Sequence, residues 1–113
     1  MPPVWERRAS QRITVQLQVV ETHEDSTYFQ RAGNLSAGGL FLEGTMPHPA
    51  GTKVRLRFTL PRDERPIEVS GEITEPKKED ELGMGVRFTD LSDADREKIE
   101  RFIEDLVGLP FGR

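Results

Sequence analysis

The chain has 113 residues, no cysteine, 32% charged and 35% apolar residues, a net charge of −4 and a mean hydropathy of −0.59. That length suggests one domain around a single core. The composition leaves no disulfide framework, no thiolate metal site and no apolar run long enough to cross a bilayer. The acidic balance argues against a general DNA or RNA binder, whose affinity rests on phosphate contacts.

In chain order, "MPPVWERRASQR" (1–12) comes first, with Arg7, Arg8 and Arg12 set against Glu6 alone. No apolar stretch follows these arginines as a secretory segment would require, and two prolines and an acid fit poorly with an amphipathic transit helix. A cytoplasmic protein without membrane insertion is therefore expected. The arm has no apolar period, so it is expected to contribute little to a core and to be mobile until an anion neutralises its charges. Such a local basic patch suits an anion of a few charges better than a polymer.

The alternation then reads as strands. Ile13, Val15, Leu17 and Val19 alternate with Thr14, Gln16 and Gln18. "ETHEDS" reads as a polar turn, "TYFQRA" as the return strand, "NLSAGG" as a break and "LFLE" as a short strand. After the Pro- and Gly-rich loop "GTMPHPAG", Val54, Leu56, Phe58 and Leu60 alternate with Arg55, Arg57 and Thr59. "PRDERP" is a turn, and Ile67, Val69, Gly71 and Ile73 continue the period. "EPKKEDELG" is a charged hairpin loop, and Met84, Val86 and Phe88 mark the last strand.

The period changes at Ser92, an N-cap with Asp95 three residues on. Ile99, Phe102, Ile103 and Leu106 form one helical stripe, and Gly108 and Pro110 end it. Six short antiparallel strands close most easily as a small barrel, which removes exposed edges. The expectation is all-β with a terminal helix: an arm at 1–12, and a β-barrel domain at 13–113 whose C-terminal helix spans about 93–107.

Two segments carry chemistry. One is Arg8-Ala9-Ser10-Gln11-Arg12, an R-x-x-x-R spacing with Arg7 in front; the other is Asn34-Leu35-Ser36-Ala37-Gly38-Gly39. Taken singly, the first reads as solvated terminal charge and the second as a turn in which Asn and Ser bond their own backbone. The second is also an N-x-S sequon, discounted without a secretory signal. In this order, between these strands, the two resemble the marks of the PilZ domain. That family of bacterial cyclic di-GMP receptors carries R-x-x-x-R followed by [D/N]-x-S-x-x-G. The resemblance extends through "GGLFLE", "GTKVRLRFTL", "IEVSGEI" and "GMGVRF".

The resemblance implies a six-stranded antiparallel PilZ-type barrel with a helix. It also implies a cyclic di-GMP site at Arg7, Arg8, Arg12, Asn34, Ser36, Gly38 and Gly39, with no cofactor, no metal and no catalytic residue. The ligand has two phosphodiester charges and two guanines. An arginine fork can grip phosphate oxygens, match the O6/N7 edge of guanine, or stack on the base. Asn34 and Ser36 offer short polar groups, and Gly38 and Gly39 let a flat base approach the backbone. Many family members have Asp where this chain has Asn34; Asn offers a single carbonyl acceptor and adds a donor. In the family, an arginine in the place of Arg7 accompanies a stacked pair of ligands; otherwise Arg7 is a solvated charge. Trp5 either stacks on a base or packs on the barrel.

Enzyme motifs are lacking. His23 and His48 lie in predicted loops with no partner motif, and no H-E-x-x-H, G-x-S-x-G or Walker segment occurs. The expected function is that of a bacterial second-messenger receptor passing its signal to an unidentified effector protein, as in motility or biofilm control. The alternative is a PilZ-like interaction module that binds no nucleotide.

Overall fold

A computed structural model describes residues 11–74 and 82–108. Its elements are β1 (Ile13–His23), β2 (Ser26–Ser36), β3 (Gly39–Glu43), β4 (Lys53–Phe58), β5 (Ile67–Ile73), β6 (Gly83–Phe88) and the helix α1 (Asp93–Val107). The strands form a closed antiparallel barrel in the order β1-β2-β3-β6-β5-β4, with β4 returning to pair with β1. The six strands and terminal helix expected from the alternation are present.

Side-chain alternation sets the two faces. In β4, Val54, Leu56 and Phe58 point inward while Lys53, Arg55 and Arg57 face water. Leu35, Leu40, Leu42, Leu56, Ile67 and Met84 are fully buried at the centre. Helix α1 lays Ile99 and Ile103 against this core, with Phe102 packed beside them. Its start is held by Ser92, whose Oγ accepts from the Asp95 backbone N–H at 3.1 Å. Its end is set by Gly108, left-handed at φ 71, whose N–H reaches the carbonyls of Glu104 and Asp105.

Two boundaries differ from the sequence reading. The expected turn "ETHEDS" is mostly strand: β1 runs to His23 and β2 starts at Ser26, leaving Glu24 and Asp25 as the turn, with Glu24 at φ 54. The expected break at "NLSAGG" starts later, because Asn34, Leu35 and Ser36 belong to β2. Asn34 and Leu35 pair with β1 on one side and β3 on the other, Ser36 pairs with Gly39 of β3, and a doubly paired backbone overrides the poor strand propensity of Asn34. The tip of the "EPKKEDELG" loop (75–81) lies outside the described residues.

Among the described residues, one ionisable side chain is buried inside the barrel. Glu21 continues the inward row of Val15, Leu17 and Val19 and is fully buried. Its Oε2 lies 2.6 Å from Nε2 of His48, and its Oε1 accepts from Gln30 Nε2 at 3.0 Å. The ring of His48 is 5.1 Å from that of His23 and meets Tyr28 edge-on at 5.5 Å. The backbone N–H of His48 points at Met84 Sδ, 3.4 Å away. This cluster pins the β3–β4 loop over one barrel mouth. The sequence placed both histidines in loops with no partner motif; His48 does lie in the β3–β4 loop, where it is paired with Glu21, whereas His23 ends β1.

Candidate functional site

The first motif ends where the barrel begins. Arg12 directly precedes β1, and its Nη1 donates to Asn34 Oδ1 at 2.9 Å in an exposed bond. Asn34 lies across from Thr14 of β1 and Phe41 of β3, half-buried on the sheet surface. Both strand pairings are locally irregular, between Thr14 and Leu17 in one and between Ala32 and Asn34 in the other. Bulges of this kind re-aim side chains next to a site. Arginine can only donate, so its bond orients the amide of Asn34 with the carbonyl oxygen toward Arg12. Among the described residues, the amide N–H₂ of Asn34 has no hydrogen-bond partner. The pair therefore presents donors from both side chains, suited to phosphate oxygens or to the O6/N7 acceptors of guanine.

The second motif divides into surface and support. Ser36 is buried at 2% exposure. Its Oγ accepts from the Gly38 backbone N–H at 3.1 Å and donates to the Gly39 carbonyl at 3.4 Å. It thus closes the β2–β3 turn, whereas the sequence reading expected a hydroxyl displayed on the surface. Gly38 is exposed, and an added Cβ there would meet only Ser36 Oγ at 3.7 Å. Its outer side is open to a flat ligand. Gly39 is buried, and a Cβ on it would collide with the carbonyl oxygen of Val86. Its glycine is required by the close approach of β3 to β6.

Arg12 and Asn34 are thus brought together, while Ser36, Gly38 and Gly39 form one turn at the end of the same strand. Arg7, Arg8 and Trp5 lie outside the described residues. The buried Glu21–His48 pair was missed from sequence. Its available signal was a carboxylate at an inward-facing position, two residues after Val19. Among the described residues there is no cluster of three or more metal-ligating side chains, and no helix long and apolar enough to cross a membrane.

The same chain, set beside known proteins, finds its relatives. The model of the PilZ domain matches residues 6–105. Comparison with curated proteins gives no significant match. Among solved structures, the inhibitor of motility MotI/DgrA from Bacillus subtilis superposes with a TM-score of 0.74 at 20% identity, covering 97% of this chain and 58% of that one. The PilZ domain of YcgR from Escherichia coli, solved with c-di-GMP, gives 0.64 at 16% identity, covering 87% of this chain and 89% of that one. MrkH from K. pneumonia, solved as a c-di-GMP complex, gives 0.68 at 14% identity, covering 86% of this chain and 51% of that one. The chain therefore spans little more than half the length of MotI/DgrA and of MrkH. At these identities the superpositions speak for the fold, and the family match over most of the sequence speaks for descent: the chain belongs to the PilZ domain family.

Proposed function

We propose that this chain is a receptor for cyclic di-GMP that passes its signal to an effector protein and performs no catalysis. The observation that carries the reading is the 2.9 Å bond between Arg12 and Asn34, which joins the end of the arginine motif to the start of the second motif. Arg12 and Asn34 offer convergent donors, Gly38 offers an open backbone surface, and Ser36 and Gly39 hold that surface in place. Arg7 and Arg8, five and four residues before Arg12, add cations for the phosphodiesters. YcgR and MrkH, which share the fold, were solved with this ligand.

Isothermal calorimetry with cyclic di-GMP on the full chain tests the reading. Saturable binding that is lost when Arg8 and Arg12 are both changed to Ala supports it. An intact fold with no heat of binding would overturn it in favour of an interaction module without nucleotide. The stoichiometry of the same titration reports whether Arg7 accompanies one ligand or a stacked pair.

A further inference from the structure

Three neighbouring strands of the barrel, β2, β1 and β4, share an outer face whose charge differs from that of the molecule. The chain as a whole is acidic, at −4. These three strands hold a single carboxylate, Glu21, and it is buried inside. Outside stand Arg31 on β2 and Lys53, Arg55 and Arg57 on β4. Among these cations sits Phe29, on the outward row of β2 and 84% exposed. Its cross-strand partner on β1 is Val20, and Val20 pairs in turn with Arg57. Exposed ring, half-buried valine and guanidinium therefore lie in one row, about 10 Å across.

The acids that meet these cations come from the flanks. Arg31 Nε is 3.1 Å from Glu43 of β3, and Arg55 Nη1 is 3.2 Å from Asp90. Arg57 Nε is 3.8 Å from Glu68 of β5, too far for a hydrogen bond. Lys53 has no ion-pair partner among the described residues. Ion pairs this exposed contribute little, and each of the three uses one nitrogen of its guanidinium. The forks thus keep donors for carboxylates arriving from outside. An exposed aromatic ring set among arginines has the composition of an interface core. We propose that the outer face of β2, β1 and β4 docks a partner protein through an acidic segment that carries an apolar residue. That residue packs on Phe29 and Val20, and its neighbouring carboxylates pair with Arg31 and Arg57.

The charge pattern selects this partner over others. A second copy presenting the same face would set cations against cations. An anionic bilayer or a nucleic acid would approach a molecule of net charge −4, and a single ring within a strand lacks the continuous apolar face that lies in a lipid interface. Val20 is six residues along β1 from Thr14, the partner of Asn34, or about 20 Å. Both surfaces can therefore be occupied at once, and the docking stands whether or not the chain binds nucleotide.

An NMR titration of the isotope-labelled full chain with a short synthetic peptide of Asp and Glu around one Leu tests the proposal. Saturable shifts should centre on Val20, Phe29, Arg31 and Arg57. Phe29→Ser and Arg57→Glu, both at exposed positions, should each weaken binding about ten-fold or more while the thermal melt stays unchanged. Arg57→Lys should lose less. Replacing the peptide's Leu by Ser should weaken binding to the wild type but not to Phe29→Ser. Absent or non-saturable shifts would overturn the proposal, as would shifts confined to Arg12 and Asn34 or an affinity that ignores Phe29→Ser. Phe29-dependent binding to phosphatidylglycerol vesicles, tighter than to the peptide, would overturn it in favour of a membrane contact. A Phe29-dependent dimer in sedimentation would overturn it in favour of a contact between copies.

Discussion

Arg12 holds Asn34 through a bond between exposed groups, and that determines how substitutions there should behave. An exposed hydrogen bond adds little to stability, whereas the same guanidinium facing a ligand phosphate forms a charge-assisted bond. Arg12→Ala is therefore expected to weaken cyclic di-GMP binding by about ten- to a hundred-fold, from a loss of about 1.5–3 kcal/mol, with the melting temperature unchanged. Arg12→Lys should recover only part of this, because a point charge does not reproduce the fork. Asn34→Ala removes a ligand group and also frees Arg12, so it should bind clearly less well. Asn34→Asp keeps an acceptor for Arg12 but adds negative charge near the phosphates, and the net change should be small. Calorimetric titration of the four variants checks the ranking. If Asn34→Ala binds like wild type, Asn34 is a strand residue and nothing more.

The turn between β2 and β3 and the loop between β3 and β4 are fixed by different physics. At the first, β3 lies so close to β6 that Gly39 has no room for a side chain. Gly39→Ala forces backbone to move and should destabilise by about 1–3 kcal/mol, as overpacking does. Gly38→Ala meets only Ser36 Oγ at 3.7 Å and should leave the melt nearly intact, so any effect it has on binding reads out the ligand surface directly. At the second, the loop is held by His48 on the buried carboxylate of Glu21. His48→Ala leaves a buried acceptor with Gln30 as its remaining partner and should cost about 1–3 kcal/mol in urea unfolding. The double variant with Glu21→Gln should cost less than the sum of the two singles, since the partners share one network.

Closure of the barrel gives the whole molecule an acid-sensitive clasp. The carboxylate of Asp90, just past β6, accepts from the backbone N–H of Ser70 in β5 at 2.6 Å and from Arg55 Nη1 in β4 at 3.2 Å. The Ser70 N–H above all, with its hydroxyl and Arg55 assisting, holds the Asp90 carboxyl below its ordinary value against an opposing effect of burial. Because the folded value is depressed, the stabilisation is fully present above the ordinary aspartate value of about 3.9 and disappears as pH falls through the lower folded value. Asp90→Asn should thus lower the melting temperature slightly near neutrality and flatten its decline below about pH 4. A series of melts from about pH 7 down to about pH 2 checks this; parallel acid limbs for wild type and variant would mean that the clasp does not contribute.

Much of this architecture can be read from local pattern alone. A period of two repeated along the chain specifies strands with one wet face, and six such strands without a place for open edges imply a barrel. The cap at Ser92 and the stop at Gly108 bound α1 through contacts a few residues apart, so its limits are legible without tertiary information. The two motifs, by their residue types and order, point to the family. Tertiary structure decided what depends on register between distant segments. Pairing with β1 and β3 makes Asn34 a strand residue facing Arg12, although its own propensity favours a turn. Ser36 carries the motif serine yet turns inward, because the β2–β3 reversal needs its hydroxyl. Glu21 is tolerated inside because His48, 27 residues on, folds over it. Among the described residues, β4 meets β1 only from Val19 onward, which leaves the start of β1 paired with β2 alone. Local sequence encodes which side of a strand each residue occupies; which neighbour it meets there is set by strand pairing across the whole barrel.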